Sequence, residues 1–410
     1  MANFNPTSLE KALKLKYGQD QLRDLAYKNH PLLAMVKKDE ELRGRNKEVT
    51  VKQARNGGAS RTFATAQSNA KSAVLASFVV TRVKDYVVAG IDGELIEASK
   101  GDSNAFMEAV SFAIDDAIKA ASHRLAISMF RDSSGYIGQV LAEPTENAGD
   151  FSITLKSEQD IVNFDYNNSI VIYSAKSGGT QRSSDGSDNE WLIEAVNRDS
   201  GVITLTGTYD SSGTIAANDY IFIEGDRGLA MSGLESWLPA SAPSASESFF
   251  GVDRSVDSTR LAGIRKDISG SSIEEGLQDL AARIWREGIG KVDKCFMNPE
   301  KYNELVKELG SKVIYKNQDV TAKISFKGVM IDSPAGEIMV VSDPQCPFDK
   351  CYMLDMSTVY LGSAGAAIKL LNADGNRILR QSADDGYEVR IGGYSQLYIT
   401  APGANGVGSF

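Results

Sequence analysis

The sequence predicts an α+β fold interrupted by an all-β insertion. Three observations carry that expectation. One strong amphipathic helix pattern runs over residues 104–130, residues 136–226 hold only short strand patterns, and a helix–strand–helix unit over 271–310 leads into further strands. The composition suits a globular chain: 410 residues, 42% hydrophobic, 24% charged and 8% aromatic, with 37 Gly and 10 Pro. That balance argues against a disordered tail protein, a collagen-like fibre or a heptad-only coiled coil. At ~100–200 residues per domain the length allows two or three cores.

Residues 1–45 read as short helical pieces without a core of their own. Ser8-Leu9-Glu10 opens one, Leu13 anchors it and Gly18 stops it; a second piece over 20–27 carries Leu22 and Leu25. His30-Pro31 interrupts the pattern, because the residue before proline is pushed out of the α region. Such a segment needs a partner surface, so it is expected to be an arm. Residues 46–101 change character. Residues 47–54 alternate like a strand, Gly57-Gly58 gives a tip, and a run over 74–88 is rich in β-branched residues. Two long strands with few apolar partners make a protruding loop.

Residues 102–135 contain the helix. Asp102-Ser103 is placed to cap it, and Phe106, Val110, Ile114, Ala117, Ile118, Ala121 and Leu125 recur at three- and four-residue spacing. In 136–226, strand patterns over 151–155, 169–173, 190–196, 202–206 and 219–224 predict a small barrel or sandwich. Gly-rich text on both sides, Ser134-Gly135-Tyr136-Ile137-Gly138 and Arg227-Gly228-Leu229, reads as one turn cut open by a guest.

In 227–345, Ser271-x-x-Glu274 predicts a capping box, with Ile273, Leu277, Leu280 and Ile284 on one helix face. A strand over 294–297 runs into Asn298-Pro299, the N-cap and first turn of a second helix. Over 346–410 the pattern is strands, with a hairpin turning at Asp374-Gly375 and a small polar tail at 403–410.

Charge is uneven. The chain carries 44 Lys and Arg against 54 Asp and Glu, a net −10, yet residues 1–84 hold 16 bases and 7 acids while 135–230 hold 5 bases and 15 acids. A basic leading segment on an acidic body suits either nucleic acid or the acidic surface of a neighbouring identical subunit. The simplest alternative is a solvated basic face.

Candidate chemistry is thin. Two histidines, His30 and His123, leave little for acid–base work or zinc, and Cys295, Cys346 and Cys351 form no C-x-x-C. Cys346 and Cys351 are near enough in sequence to pair, although small buried thiols are the plainer reading. A phosphate loop around Gly290-Lys291 fails at Trp285 and Val292. The acidic run Asp185-Gly186-Ser187-Asp188-Asn189-Glu190 could hold calcium but lacks an EF-hand's ligand spacing, with a solvated loop as the plainer reading. Asn372-Ala373-Asp374-Gly375-Asn376 also resembles a calcium loop, yet Asp-Gly between two strand patterns reads as a hairpin turn. No catalytic, cofactor-binding or metal-binding residue is assigned, and no enzyme is expected. No apolar run approaches the ~18 residues of a membrane span, and residues 1–16 lack a secretory signal's apolar segment.

The order of elements resembles the major capsid protein of tailed bacteriophages, the Hong Kong 97-type shell fold. The resemblance rests on that order, on Cys295-Phe296-Met297-Asn298-Pro299-Glu300-Lys301-Tyr302, on Gly328-Val329-Met330-Ile331, and on Thr81-Arg82-Val83-Lys84-Asp85-Tyr86 with Ile91-Asp92-Gly93-Glu94. It implies an N-terminal arm at 1–45, an extended loop and lead-in at 46–101, and the spine helix of a peripheral domain at 102–135. It further implies a mainly axial domain at 227–345 and strands returning to the peripheral domain at 346–410, with 136–226 as a departure from the family pattern. Implied partners are copies of the same chain in hexamers and pentamers, scaffold, portal and decoration proteins, and packaged double-stranded DNA. The implied location is the virion capsid, after synthesis in host cytoplasm. An encapsulin-type compartment shell shares the fold, and a β-rich surface adhesin is a reading from a different class.

Overall fold

The structure is a computed structural model that describes residues 29–42, 44, 46–54, 57–91, 103–147, 149–210, 212–245, 247–288, 290–310, 313–321, 324–371, 379–381 and 385–410, with side chains left aside at 54, 103–110, 317–321 and 324–325. The helical pieces expected within 1–28, the Asp102 cap and the Asp374-Gly375 turn lie outside these residues.

Pro31–Met35 forms a short helix, α1, with proline in its first turn, where a missing N–H costs nothing. Strand β1 (Lys37–Asp39) follows, then β2 (Asn46–Ala54) and β3 (Val74–Thr81) pair antiparallel from Asn46↔Thr81 to Ala54↔Val74. A short helix, α2 (Phe63–Ser68), sits at the tip of this hairpin. The root of the hairpin is less bare than the sequence predicts. Val49, Val51, Ala76, Phe78 and Val80 are buried in the chain's main core, and Phe78 meets the Trp237 ring edge-on at 5.2 Å. The run expected as one strand over 74–88 breaks at Arg82, where β4 (Val83–Ile91) leaves the hairpin for another sheet.

Helix α3 (Ser103–Phe130) matches its expected span within a residue. At ~1.5 Å per residue it is about 42 Å long. Ile114, Ile118, Ala121, Leu125 and Met129 are buried along one stripe, as their spacing requires. Each large apolar side chain on that stripe contributes roughly 1.5–3 kcal/mol by leaving water.

Seven strands then form one sheet: β5 (Tyr136–Gln139), β6 (Thr145–Asn147), β7 (Asp150–Thr154), β8 (Ser169–Tyr173), β9 (Trp191–Asn197), β10 (Val202–Thr206) and β11 (Tyr220–Ile223). The order is β5-β11-β8-β9-β10-β7-β6. A bridge between Val140 and Leu155, with Leu141 N donating to Thr154 O at 2.9 Å, returns β7 to β5 and closes the sheet into a small barrel. Phe151, Ile153, Ile172, Trp191, Ile203, Leu205 and Ile221 fill it. The five predicted strands are all present; β5 and β6 are additional. The segment begins and ends on the paired neighbours β5 and β11, and Gly228 N donates to Ser134 O at 2.8 Å. Gly135 makes that approach possible: its φ is +83°, and a Cβ there would lie 2.8 Å from Asp226 O.

Beyond a short helix, α4 (Leu234–Trp237), and a ribbon of β12 (Ser248–Phe249) and β13 (Val252–Asp253), the chain builds a helix-flanked sheet. Its members are β14 (Ile264–Asp267), β15 (Lys294–Met297), β16 (Ile314–Thr321), β17 (Ile324–Ser333), β18 (Gly336–Ser342) and β19 (Lys350–Leu354). Helices α5 (Ile273–Arg283) and α6 (Pro299–Leu309) pack on it. The cap of α5 lies one residue later than predicted. Ser272 Oγ accepts from Glu275 N, because Ser271 Oγ donates to Ile268 O instead. Asn298 Oδ1 accepts from Glu300 N ahead of Pro299, as expected.

The last strands are β20 (Val359–Ser363), β21 (Lys369–Leu370), β22 (Leu379–Arg380), β23 (Tyr387–Ile399) and β24 (Gly406–Ser409). Strand β23 pairs with β20, β21, β22 and β4, and its sheet lies against α3. Strands β21 and β22 both run antiparallel to β23. One expectation needs correction here. Residues 403–410 are not a polar tail. Strand β24 lies between β14 and β19 in the helix-flanked sheet, with Val407 buried. Glycines at 406 and 408 disguise it in sequence, yet they let β24 pass close to Ile284 and Cys351, where an added Cβ would sit 2.7 and 2.8 Å from side-chain atoms. With β19, it places both ends of 346–410 in that sheet rather than against α3.

Candidate functional site

The three cysteines and the acidic run that the sequence offers are structurally occupied. Cys295, Cys346 and Cys351 are buried free thiols, and Cys346 has not paired with Cys351. Burial pushes the Cys346 thiol well up, away from the reactive thiolate. In the acidic run, Asp185 Oδ1 accepts from Ser187 N at 2.8 Å, Ser187 Oγ at 2.9 Å and Asp188 N at 2.8 Å. Those bonds hold its carboxyl below the usual range and spend the oxygen on a turn. No group of three or more His, Cys, Asp or Glu side chains placed to hold a metal occurs among the described residues.

The densest polar constellation is a junction instead. It joins the end of α3, the barrel, α4 and β19. Arg131 Nη1 donates to Tyr136 Oη at 3.0 Å, and Arg131 Nη2 to Asp160. Tyr136 Oη donates to Glu235 Oε2 at 2.9 Å. Glu235 Oε1 accepts from Lys176 Nζ at 3.0 Å and Lys350 Nζ at 3.2 Å, and Lys176 also reaches Asp132 at 2.6 Å. Lys176 Nζ stands 4.0 Å from the centre of the Tyr136 ring, a cation–π contact. Burial pushes the Glu235 carboxyl up, but Lys350, Lys176 and Arg131 together pull it down to about 2. Burial lowers Lys350, and the Glu235 carboxylate beside it more than reverses that. Burial also pushes Asp160 up, which its contact with Arg131 only partly opposes. All these charges balance one another, so the cluster fixes geometry and leaves no free acid or base.

A second tie lies about two turns earlier on α3. Arg124 Nη2 donates to Asp85 at 3.0 Å and to Asp226 at 2.9 Å, linking the helix to β4 and to the chain leaving the barrel. Together the two clusters tie the barrel to α3. No local sequence signal marks either one, because their members are spread from Asp85 to Lys350.

What remains for partners is surface. The inner end of the β2–β3 hairpin is buried, whereas its outer end presents Leu75 and Val74, and Phe63 on α2 is 82% exposed. Isolated two-stranded hairpins are marginal in water, and an exposed apolar tip marks a contact site. Arg61 and Lys52 beside it are also exposed. The barrel shows the opposite charge, since residues 135–230 carry 15 acids against 5 bases. Of the sequence's two histidines, His123 is half-buried with Nε2 donating to Val162 O at 3.0 Å, and His30 lies beside it.

No protein-family model and no curated protein matches the sequence. Solved structures do resemble it. The chain superimposes on the cyanophage A-1(L) capsid asymmetric unit with a TM-score of 0.51, at 12% identity over 92% of this chain and 91% of that chain. Weaker likenesses include the holo-SrpI encapsulin complex from Synechococcus elongatus, at a TM-score of 0.42 and 8% identity over 100% and 96% of the two chains. Another is the capsid of Myoviridae phage XM1, at a TM-score of 0.42 and 11% identity over 92% and 90%. The first likeness shows a shared fold. The chain is an α+β protein with the Hong Kong 97-type shell fold.

Proposed function

We propose that the chain is the major capsid protein of a tailed bacteriophage, assembling as hexamers and pentamers into an icosahedral shell around double-stranded DNA. The observation that carries this reading is the shell fold, shared over 92% of the chain with a cyanophage capsid subunit, combined with a hairpin whose apolar tip is left exposed among the described residues. A shell subunit needs no catalytic residue. It needs projections that bury surface on neighbours through many modest contacts, each weak enough to correct errors of assembly.

In this reading 1–45 is the N-terminal arm, 46–101 the extended loop and lead-in, and 102–135 the spine helix. The barrel at 136–226 is an insertion, 227–345 is mainly axial domain, and 346–410 is shared between the two sheets. The basic arm and loop lie on acidic surface of neighbouring subunits, and the acidic barrel faces away from packaged DNA, since like charges repel. Scaffold, portal and decoration proteins are the further partners. The protein is made in host cytoplasm and resides in the virion capsid.

Replacing Lys11, Lys14 and Lys16 by Glu tests the arm. The variant subunit is expected to fold with unchanged thermal stability while shell yield collapses. Normal shell yield would refute the arm contact. Particles holding a protein cargo and no DNA would move the reading to an encapsulin-type compartment.

A further inference from the structure

The chain has two histidines, and the fold brings them together with ring centroids 6.0 Å apart. His30 is buried at the start of α1, where the N-terminal segment joins the body; His123 is on α3. His30 Nδ1 donates to Gln345 Oε1 at 3.0 Å, which leaves Nε2 as the bare nitrogen of a neutral ring. His123 Nε2 donates to Val162 O, which leaves its Nδ1 bare. The same corner holds a buried carboxylate. Asp343 Oδ2 accepts from Leu32 N at 3.0 Å, and Oδ1 accepts from Gln345 N at 3.1 Å. From the barrel, Asp165 and Arg198 act on His123 with opposite signs and pair with each other at 2.8 Å. The polar contacts that dock His30 and Leu32 therefore run through groups that change charge in mild acid.

We propose that His30 and His123 form an acid-operated latch on residues 30–36, loosening this start of the described body when the pH falls. The latch belongs to the single subunit and stands whether or not the chain builds shells. A proton on either ring creates a cation in a corner shielded from water, 6.0 Å from the other imidazole, which then resists its own proton. Burial holds both histidines below their ordinary value. Their contribution to docking is therefore full above about pH 6.5 and is lost as the pH falls below it. Burial pushes Asp343 the other way, up to about 6, so its docked form takes up a proton in acid and opposes release. Asp343 thus works against the histidines, and a variant that removes both imidazoles while leaving the carboxyl in place separates the two effects.

Hydrogen-exchange mass spectrometry of the full chain at about pH 7.5 and about pH 5.5, corrected for intrinsic rates, tests the latch. Amides of Ala34 and Val36, which bond to His30 O and Leu32 O, are expected to exchange about tenfold faster in acid relative to those of α5. In the His30→Gln, His123→Gln double variant that acid effect should shrink to less than about threefold. Equal protection at both pH values, or an undiminished acid effect in the double variant, overturns the proposal. Should the double variant fail to fold, C2-proton exchange of the two imidazoles in the unmodified chain decides: both must titrate below about 6.5, and either at or above it overturns the latch.

Discussion

Replacing Glu235 by Gln keeps the size and the acceptor for Tyr136 while removing the charge that Lys176 and Lys350 share. Both lysines lie within 3.2 Å of Oε1 in a site that burial makes costly for any lone ion. The fall of the Glu235 carboxyl from 4.5 to about 2 corresponds to about 3 kcal/mol, at ~1.36 kcal/mol per tenfold of proton affinity. Breaking a buried pair from one side costs roughly 3–5 kcal/mol in general, which brackets the same figure. The sign follows from the depressed value. Stability from this group is full above about pH 4.5 and is lost as the pH falls toward about 2. Urea unfolding of the purified chain measures the loss, with Trp191 reporting on the barrel and Trp237 on the main core. Glu235→Gln is expected to lose about 3 kcal/mol at neutral pH and to show a flatter decline between about pH 4.5 and 2. A loss under about 1 kcal/mol, or an unchanged acid decline, would refute the view that the junction acts as one electrostatic clamp.

Three more outcomes follow from the same geometry. Gly233→Ala places a Cβ 2.3 Å from Ser128 O and 2.5 Å from both Met129 O and Arg131 O, backbone atoms at the end of α3 that have no room to retreat. It should cost roughly 2–4 kcal/mol in urea unfolding. Phe63→Glu, on a side chain 82% exposed, should change subunit stability by less than ~0.5 kcal/mol yet sharply reduce shell yield measured by sedimentation. The Lys11, Lys14 and Lys16 charge reversal should do the same through the arm.

Legibility in the sequence tracked how local the determining physics was. Helix α3 was readable because its burial repeats every three or four residues over many turns. The barrel strands were readable because turn residues separate each apolar alternation, and Asn298-Pro299 marked its helix directly. Strand β24 was hidden, since its glycines look like tail composition and its burial depends on α5 and β19, distant in sequence. The α5 cap slipped by one residue because Ser271 and Ser272 are chemically equal until Ile268 O claims the first. Neither the Glu235 junction nor the His30–His123 pair leaves any periodic trace, because each is assembled from segments far apart in the chain. The outer hairpin was legible as a projection, but its buried root depended on Trp237, Phe249 and Phe250 arriving from elsewhere.

Negative-stain electron microscopy of the purified, recombinantly expressed chain, with light scattering on the same sample and scaffold supplied if none form unaided, tests the central claim. The account predicts closed shells, or rings of about 265 and 220 kDa, six and five times the 44.2 kDa chain. A stable monomer that still fails to assemble with scaffold present would contradict it.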